Sequence, residues 1–344
     1  MMTMTDPAPD TWSLVTPETL ELFRRAGRVL ILTHHNPDGD ALGSSSGLAR
    51  TLIHQGRRAE LFLAGVWSDH LNFLLEGLTV RESLGPMDDY DLVVLLDCHG
   101  FDRLGPAAPE VESRMAQARE YVPLVVIDHH LLSEDETATP TWLHDETASS
   151  TGELVWNLLW ALDWIPTPPA IQALLLAICT DTGFFSQTNT TPGALRASAD
   201  LVELGGDLED VNRRVKRDLP LRRLKLMGRV LDEMKLHFDG RLAESRITPV
   251  MLAESGATMS DSEDFVEMGR GLAGVSLSAL IKDSGGGPGT VRVSLRSRDE
   301  VDAQALAKTF GGGGHRQASA YNDSEAANAD EALKNLLTRA EKFL

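Results

Sequence analysis

The stretch Leu124-Val125-Val126-Ile127-Asp128-His129-His130 decides the fold, because a short apolar run ends directly in one acid and two imidazoles. Runs of Val, Ile and Leu of this length are typical of strands in a sheet covered on both faces. Sheets of that kind bind ligands at the carboxyl ends of their strands. The stretch therefore predicts a buried strand that carries polar side chains into a ligand site.

Three further motifs repeat this arrangement of an apolar segment followed by acids. They are His34-His35-Asn36-Pro37-Asp38-Gly39-Asp40 after residues 29–32, Asp97 after residues 92–96, and Thr180-Asp181-Thr182-Gly183 after residues 173–179. A single Asp after a strand is usually a helix cap or a loop residue. Here, however, five of the ten histidines fall within or next to these motifs, which favours one shared metal site over four separate caps.

The candidate metal ligands are carboxylates and imidazoles, namely His34, Asp38, Asp40, Asp97, His129 and Asp181. This mixture suits hard to borderline divalent ions, and Mn²⁺ tolerates it better than a thiolate-selective zinc site would. These ligands exceed the needs of one ion, whereas two ions about 3.5 to 4 Å apart that share a carboxylate would use them all. We therefore predict two divalent ions, Mn²⁺ in the first place, with Mg²⁺ or Co²⁺ as alternatives.

Composition limits the class of protein. A chain of 344 residues is long for one ordinary core, so two domains are expected. Residues 1–10 lack a basic stretch followed by an apolar core, and no run approaches the length of a membrane span, so we expect a cytoplasmic protein without membrane contact. The net charge of −19 argues against long nonspecific contact with nucleic acid but permits a short anionic substrate. The two cysteines, Cys98 and Cys179, lie in different motifs, which argues against a disulfide framework and a thiolate zinc site.

The first half of the chain alternates strand-like and helix-like segments, for example residues 29–33, 41–55 and 59–63, which predicts βαβ units and a mostly parallel sheet flanked by helices. Ser150-Thr151-Gly152-Glu153 fits a capping box for a helix over residues 152–162, and an apolar helix over residues 170–179 leads into Asp181. The basic run at residues 213–217 is interpreted as a solvated helix face.

We predict four segments in this α/β chain. Residues 1–17 form a loose tail, residues 18–206 the metal-binding domain, residues 207–220 a linker, and residues 221–344 a second, smaller α/β domain.

The last third of the chain carries a candidate anion site. Val291-Arg292-Val293-Ser294-Leu295-Arg296 places Arg292 and Arg296 on one face of a strand and the apolar residues on the other. A helix over residues 301–310 then stops at Gly311-Gly312-Gly313-Gly314-His315-Arg316. Such glycines can turn several N–H groups toward one anion, and His315 and Arg316 add charge and donors. A flexible loop is the alternative, since the glycine-rich residues 285–289 carry no chemistry and are predicted only to connect a hairpin.

Together, these motifs resemble those of the DHH/DHHA1 phosphoesterase superfamily, and within it the group of bifunctional oligoribonucleases (nanoRNases) and pAp phosphatases. The first lobe matches in order at His34, Asp38-Gly39-Asp40, Asp97, Asp128-His129-His130 and Asp181-Thr182-Gly183. The second lobe matches at residues 293–297 and 311–315. The resemblance covers nearly the whole chain.

The resemblance also implies roles for individual residues. One ion would be held by His34, Asp38 and Asp97, the other by Asp40, Asp97, His129 and Asp181, with Asp97 as the bridge. His130 would contact the scissile phosphate, so the catalytic residues are expected to be His130, Asp97 and Asp128. The active site would lie in the cleft between the lobes, and the substrate-binding residues are expected to be Arg103, Arg296, Gly312, Gly313, Gly314, His315 and Arg316. His99 departs from the family pattern and is interpreted as a neighbour of the metal site rather than a ligand.

The implied reaction is hydrolysis of short oligoribonucleotides to mononucleotides and of pAp to AMP, by attack of a metal-activated hydroxide on phosphorus. A cyclic-di-AMP or linear dinucleotide phosphodiesterase is the main alternative, and a non-catalytic nucleotide-binding regulator ranks lower because such proteins usually lose metal ligands. The glycine-rich segment disfavours a pyrophosphatase, and the acidic composition disfavours a RecJ-type exonuclease. The sequence leaves open whether short DNA is also cut and whether the chain forms a homodimer.

Overall fold

The computed structural model describes residues 15–119, 121–132, 141–298, 301–314 and 316–344. The chain divides into two compact units, residues 1–218 and 219–344, and each unit has its own six-stranded sheet. Across the described ranges, the helices are all too short or too polar to cross a membrane.

The first unit is a parallel sheet flanked by helices, as the alternating sequence pattern predicts. Its strands are β1 (Arg28–Thr33), β2 (Arg58–Phe62), β3 (Thr79–Arg81), β4 (Leu92–Leu96), β5 (Leu124–Asp128) and β6 (Trp142–His144). Its helices are α1 (Pro17–Arg25), α2 (Gly39–His54), α3 (Ala108–Gln117), α4 (Thr151–Ala161), α5 (Pro168–Asp181), α6 (Pro192–Glu203) and α7 (Leu208–Asn212). The strands follow the order β3-β2-β1-β4-β5-β6, and every pairing is parallel.

The strand order reverses between β1 and β4, which are neighbours in the middle of the sheet. From β1 the chain builds outward through β2 and β3, and it then returns to build outward from β4 through β5 and β6. In open α/β sheets the ligand crevice lies at the carboxyl ends of the strands at this reversal. The residues that follow β1 and β4 are therefore placed in the crevice.

Helices α2, α4 and α5 approach one another closely because glycines line their contacts. A Cβ at Gly43 of α2 would lie 2.6 Å from the carbonyl oxygen of Ala173, and one at Gly152 of α4 would lie 2.5 Å from the Cβ of Ala177. Both partners belong to α5. The close packing brings the first turns of α2 and α4 next to the end of α5.

The second unit is a mixed sheet, with β8 and β9 parallel and all other neighbours antiparallel. Its strands are β7 (Lys235–His237), β8 (Leu242–Ile247), β9 (Leu277–Asp283), β10 (Val291–Ser297), β11 (Gly313–Gly314) and β12 (Ala318–Asp323), in the order β11-β12-β10-β9-β8-β7. Its helices are α8 (Leu221–Asp232), α9 (Pro249–Ser255), α10 (Phe265–Arg270), α11 (Ala303–Lys308) and α12 (Ala329–Ala340). The glycine-rich residues 285–289 join β9 to β10 as the predicted hairpin connection.

The two faces of this second sheet differ in their cover. On one face, residues of α11 and α12 form a hydrophobic core with β9, β10 and β12. On the other face, the apolar residues of α8, α9 and α10 cluster with Ile247 of β8 and Leu280 of β9, and α10 also reaches β10 through the ion pair between Glu267 and Arg296.

Residues 207–218, most of the linker predicted over residues 207–220, form α7 and one turn of π-helix that cluster with the first unit. In that turn Arg213 and Arg214 both pair with Asp210. The predicted domain bounds themselves stay a prediction.

Candidate metal centre

The loop after β1 supplies three of the predicted ligands. Asp38 is the N-cap of α2, and its Oδ1 accepts hydrogen bonds from the N–H groups of Asp40 and Ala41 at 3.0 and 3.1 Å. Asp40 therefore lies in the first turn of α2, where the helix dipole favours an acid. His34 directly follows the strand, and its Nε2 lies 4.0 Å from Asp38 Oδ1.

Asp97, directly after β4, is the centre of the cluster. Its Oδ2 lies 3.4 Å from His34 Nε2, and its Oδ1 lies 3.6 Å from His129 Nε2 and 3.7 Å from His130 Nδ1. The backbone of Asp97 has φ +60°, a left-handed conformation that non-glycine residues rarely adopt. Backbone strain of this kind concentrates at functional sites, where the surrounding structure holds it in place.

His129 links Asp97 to the remaining ligands. Its Nε2 lies 3.7 Å from Asp40 Oδ2 and 3.8 Å from Asp181 Oδ2, at the end of α5. The donor atoms fall into three overlapping groups, each within 4.8 Å: His34 with Asp38 and Asp97, Asp40 with His129 and Asp181, and Asp97 with His129 and His130. The structure thus brings all six predicted metal ligands together.

The spacing and chemistry of these donors fit divalent cations. Most of the His–Asp separations given above, from 3.6 to 4.0 Å, exceed ordinary hydrogen-bond lengths, so the side chains converge on a point without bonding one another there. Four carboxylates in so small a volume repel each other, and Asp40 and Asp97 are almost fully buried. Bound positive charge would offset that repulsion.

The pKa shifts of the acids show this repulsion. Burial, together with the charges of Asp97, Asp181 and Asp38, raises the pKa of Asp40 well above its usual range. Burial also raises the pKa of Asp181 to about 6, although His129 acts in the opposite direction. For Asp97, burial is outweighed by the hydrogen bond and charge of His34 and by the other two histidines, so its pKa is lowered.

Asp128 does not belong to any of the three donor groups. Its buried carboxylate bonds the ring Nδ1 of His130 at 2.7 Å and that of His99 at 3.1 Å. Burial alone would lower the pKa of His130, but the hydrogen bond to Asp128 and the nearby charge of Asp97 raise it to about 9. Asp128 therefore orients both histidines beside the predicted ligands and raises the pKa of His130, and His99 is a neighbour of the site, as interpreted from the sequence.

The N-terminus of α4 holds two of the ligands in place. Thr151 N–H donates to Asp40 Oδ2 at 2.7 Å, and Gly152 N–H donates to Asp40 Oδ1 at 2.9 Å. The hydroxyl of Thr151 donates to Asp97 Oδ1 at 2.9 Å. Ser150 does cap α4, because its Oγ accepts from Glu153 N–H. The sequence reasoning recognised the cap but missed the contacts of Thr151 and Gly152 with the metal ligands.

Asn189 is a second residue that the sequence reasoning missed. Its Nδ2 donates to both the carbonyl oxygen and Oδ2 of Asp181, at 3.1 Å each, and to the carbonyl oxygen of Ser149. The turn Asp181-Thr182-Gly183 is thereby tied to the segment that leads into α4. No sequence signal marks Asn189, since it lies in an irregular segment outside the motifs.

The predicted substrate-binding residues divide between the units. Arg103 is exposed in a 3₁₀ turn of the first unit, and its carbonyl oxygen accepts from His35 N–H. In the second unit Arg296 Nε donates to Glu267 Oε1 at 2.9 Å. Arg316 is exposed, and His315 lies outside the described residues.

The predicted glycines lie at the edge of the second sheet that is formed by β11 and β12. Gly313 and Gly314 form β11, which pairs with β12. A Cβ at Gly312 would lie 2.3 Å from the carbonyl oxygen of Ala320, so only glycine permits this close approach of the two segments.

Comparisons with known proteins match two separate parts of the chain to two domain families. A model of the DHH family, N-terminal domain, matches residues 28–180, and a model of the DHHA1 domain matches residues 243–342. The chain is 31% identical to the bifunctional oligoribonuclease and PAP phosphatase NrnA of Thermus thermophilus, over 97% of this chain and 98% of that protein.

Two further relatives extend the comparison. The chain is 26% identical to the cyclic-di-AMP phosphodiesterase GdpP of Geobacillus thermodenitrificans, over 92% of this chain but only 48% of that protein. Among solved structures, an exopolyphosphatase-related protein of Bacteroides fragilis superposes with a TM-score of 0.82 and 25% identity, over 99% of this chain and 98% of that one.

Proposed function

Because the chain belongs to the DHH family of phosphoesterases and carries a DHHA1 domain, we propose that it hydrolyses short oligoribonucleotides to mononucleotides and dephosphorylates pAp to AMP. The observation that carries this function is the convergence of six carboxylate and imidazole ligands at the carboxyl edge of the sheet. The names of the Thermus relative give the substrates of that protein, and the match along nearly the full length of both chains extends them to this one.

The ligand groups support a site for two divalent ions, with Mn²⁺ as the preferred metal. His34, Asp38 and Asp97 would hold one ion, and Asp40, Asp97, His129 and Asp181 the other. Ions bound there would activate water and offset the charge on the phosphate oxygens.

The protein's own residues contribute positioning and charge. Asp128 fixes the Nδ1 side of the His130 ring, and its hydrogen bond together with the charge of Asp97 raises the pKa of His130 to about 9, which favours the protonated imidazole. The other ring nitrogen can then donate to an oxygen of the scissile phosphate, and this hydrogen bond is charge-assisted. Asp97 and Asp40 are buried, which strengthens the electrostatic contacts that these two carboxylates make.

The second unit would bind the part of the substrate that is not cleaved. Arg296, Gly312, Gly313, Gly314 and Arg316 are its candidate contacts, together with His315, which lies outside the described residues. Arg103 would serve the same purpose from the first unit.

The test is a Mn²⁺-supplemented time course on a labelled RNA trimer and a 24-mer, with pAp and cyclic di-AMP in parallel. We expect rapid conversion of the trimer and of pAp, and slow attack on the long strand. Asp38→Asn and Asp181→Asn should reduce kcat at least about a hundredfold, since each removes the charge of a predicted ligand. Asp163→Asn is the matched control, because Asp163 is exposed with φ +59° and Asn tolerates that conformation equally well.

Each outcome separates the proposal from its alternative. Near-normal turnover by Asp181→Asn would contradict the ligand assignment. Cyclic di-AMP as the single good substrate would instead favour second-messenger hydrolysis, the activity for which the relative from Geobacillus is named.

A further inference from the structure

The second sheet has one face that its helices leave partly open. Helices α8, α9 and α10 cover β8 and β9 on this face, where Ile247 and Leu280 are buried. The adjoining strands β10 and β12 present small or polar side chains on the same face: Arg292, Ser294, Arg296, Ala318, Ala320 and Asn322. None of these six is buried, so this part of the face is a solvent-accessible polar surface and not a core. We call these six residues the polar floor.

Two cations stand directly opposite each other at the edge of this floor. Lys282 of β9 pairs in register with Arg292 of the antiparallel strand β10, so their side chains leave the sheet on the same face. Arg296 follows on that face, four positions further along β10. Like charges placed directly opposite in an antiparallel pair destabilise a sheet, so the ligand-free protein gains nothing from this arrangement.

The charge of this pair is not neutralised. Arg296 is offset by Glu267, which also binds Arg270. For Lys282 and Arg292, by contrast, no carboxylate of the described residues lies within the 4.0 Å of an ion pair. Glu263 and Asp264 are near enough to act on Lys282 only at longer range.

The pKa shifts of Lys282 and Arg292 are consistent with this pairing of like charges. Loss of hydration and the charge of Arg292 lower the pKa of Lys282 to about 8, and partial loss of hydration together with the charge of Arg296 lowers the pKa of Arg292, although its side chain stays accessible to solvent. In a chain of net charge −19, an unneutralised pair of cations beside an open floor of small residues is a local exception. An anion bound between them would relieve the repulsion.

We propose that Lys282 and Arg292 form a binding subsite for a backbone phosphodiester of a short oligonucleotide. The ligand class rests on the proposed function, since a phosphodiester is the anion that such a substrate carries beyond its terminal phosphate. Ser294, Ala320 and Asn322 form the floor on which the adjoining nucleotide lies. Arg292 and Arg296 are separated by about 13 Å along the strand, so a phosphate at Arg296 leaves this second position available to another phosphate of the same oligonucleotide.

The test is calorimetric titration of the full-length protein, in the presence of a chelator, with a 5′-phosphorylated RNA trinucleotide and with pAp. We expect Arg292→Gln, Lys282→Gln and the double variant to weaken trinucleotide binding about tenfold or more, because each loses a charge-assisted contact. Binding of pAp, which has no internal phosphodiester, should change less than about twofold. In the double variant, the slope of log affinity against log salt for the trinucleotide should become shallower by about 0.7, the value for one lost single-strand phosphate contact.

Lys334→Gln is the matched control. It removes the same charge from α12, whose residues pack on the opposite face of the sheet, and should leave both affinities and the salt slope unchanged. The thermal midpoint of ligand-free Arg292→Gln should be no lower than that of the wild type, because the substitution removes a like-charge contact; this measurement separates lost binding from lost folding.

The alternative outcomes are distinct. Unchanged trinucleotide affinity and salt slope in the double variant would overturn the subsite, as would a wild-type chain that does not bind the trinucleotide. An equal loss for pAp and the trinucleotide would also overturn it, since the pair would then hold the terminal phosphate. Turnover is not measured in these titrations, so an inactive wild type would refute the proposed function while leaving the subsite result readable.

Discussion

At the scale of single residues, Thr151 connects Asp40 and Asp97, which belong to different groups of predicted ligands. Its N–H bonds Asp40 and its hydroxyl bonds Asp97, so one residue fixes a carboxylate from each side of the cluster. Partners of this kind set the orientation of metal ligands, and their loss typically weakens metal binding about 10- to 100-fold.

We therefore expect Thr151→Val, which keeps the shape of the side chain and loses the hydroxyl, to weaken Mn²⁺ binding about tenfold. Thr151→Ser should restore most of the affinity because it returns the donor. Titration of the chelator-treated protein with Mn²⁺ measures this directly. Equal affinities for the wild type and the valine variant would show that the hydroxyl does not position Asp97.

The convergence of the six predicted ligands could be anticipated from the sequence, whereas the residues that hold them in place could not. Each ligand follows an apolar run, and parallel strands bring their carboxyl ends to one edge, so local patterns suffice to place them together. Thr151 reaches Asp40 across 111 positions of the chain, and Asn189 lies outside any motif. Such contacts depend on how the helices pack, which a local pattern does not contain.

At the scale of elements, the glycines between α2, α4 and α5 determine where the first turn of α4 meets Asp40. A Cβ at Gly152 would lie 2.5 Å from Ala177 Cβ and 3.4 Å from Asp40 Oδ1. Because the contact with Ala177 is far too short, a side chain at this position must push α4 away from α5, and the N–H groups that bind Asp40 would move with α4.

Gly152→Ala is expected to lower the free energy of unfolding by about 1–3 kcal/mol, the usual effect of overpacking, and to weaken Mn²⁺ binding as well. Gly228→Ala is the control, because Gly228 lies in α8 with open space around its Cα and should gain up to about 1 kcal/mol from better helix propensity. Urea denaturation with a parallel Mn²⁺ titration measures both effects. A neutral result at Gly152 would mean that α4 can shift without disturbing the site.

The longer elements were predictable and the shortest were not. Helix α5 and strand β10 agree with the sequence pattern, because α5 is a long and almost continuously apolar segment and β10 alternates apolar and polar residues. Strands β3 and β6 have three residues each and complete the two edges of the first sheet, so their conformation comes from pairing with a neighbour rather than from their own sequence.

At the scale of the whole molecule, the six predicted metal ligands and the Lys282–Arg292 pair belong to different units, and each unit has its own core. All six predicted metal ligands lie in residues 1–218, while Lys282 and Arg292 lie in residues 219–344. The length of the chain was enough to predict two domains, because a single core rarely extends over so many residues.

Mn²⁺ is therefore expected to stabilise the first unit selectively. At a free concentration of 100 times Kd, one bound ion adds about 2.7 kcal/mol to the free energy of unfolding. Scanning calorimetry with chelator and with Mn²⁺ should show the transition of the first unit moving to higher temperature while that of the second stays fixed. Equal movement of both transitions would show that the units unfold together.

The reach of α4 back to Asp40 also has a consequence for biosynthesis. Asp38 and Asp40 are made early, but Thr151 and Gly152 follow 111 to 112 positions after Asp40, and Asp181 and Asn189 later still. A growing chain folds domain by domain as it leaves the ribosome, and the last predicted ligand, Asp181, emerges only after just over half of the 344-residue polypeptide. We expect nascent chains shorter than this to lack metal-dependent hydrolysis, because part of the predicted ligand set is still missing from them.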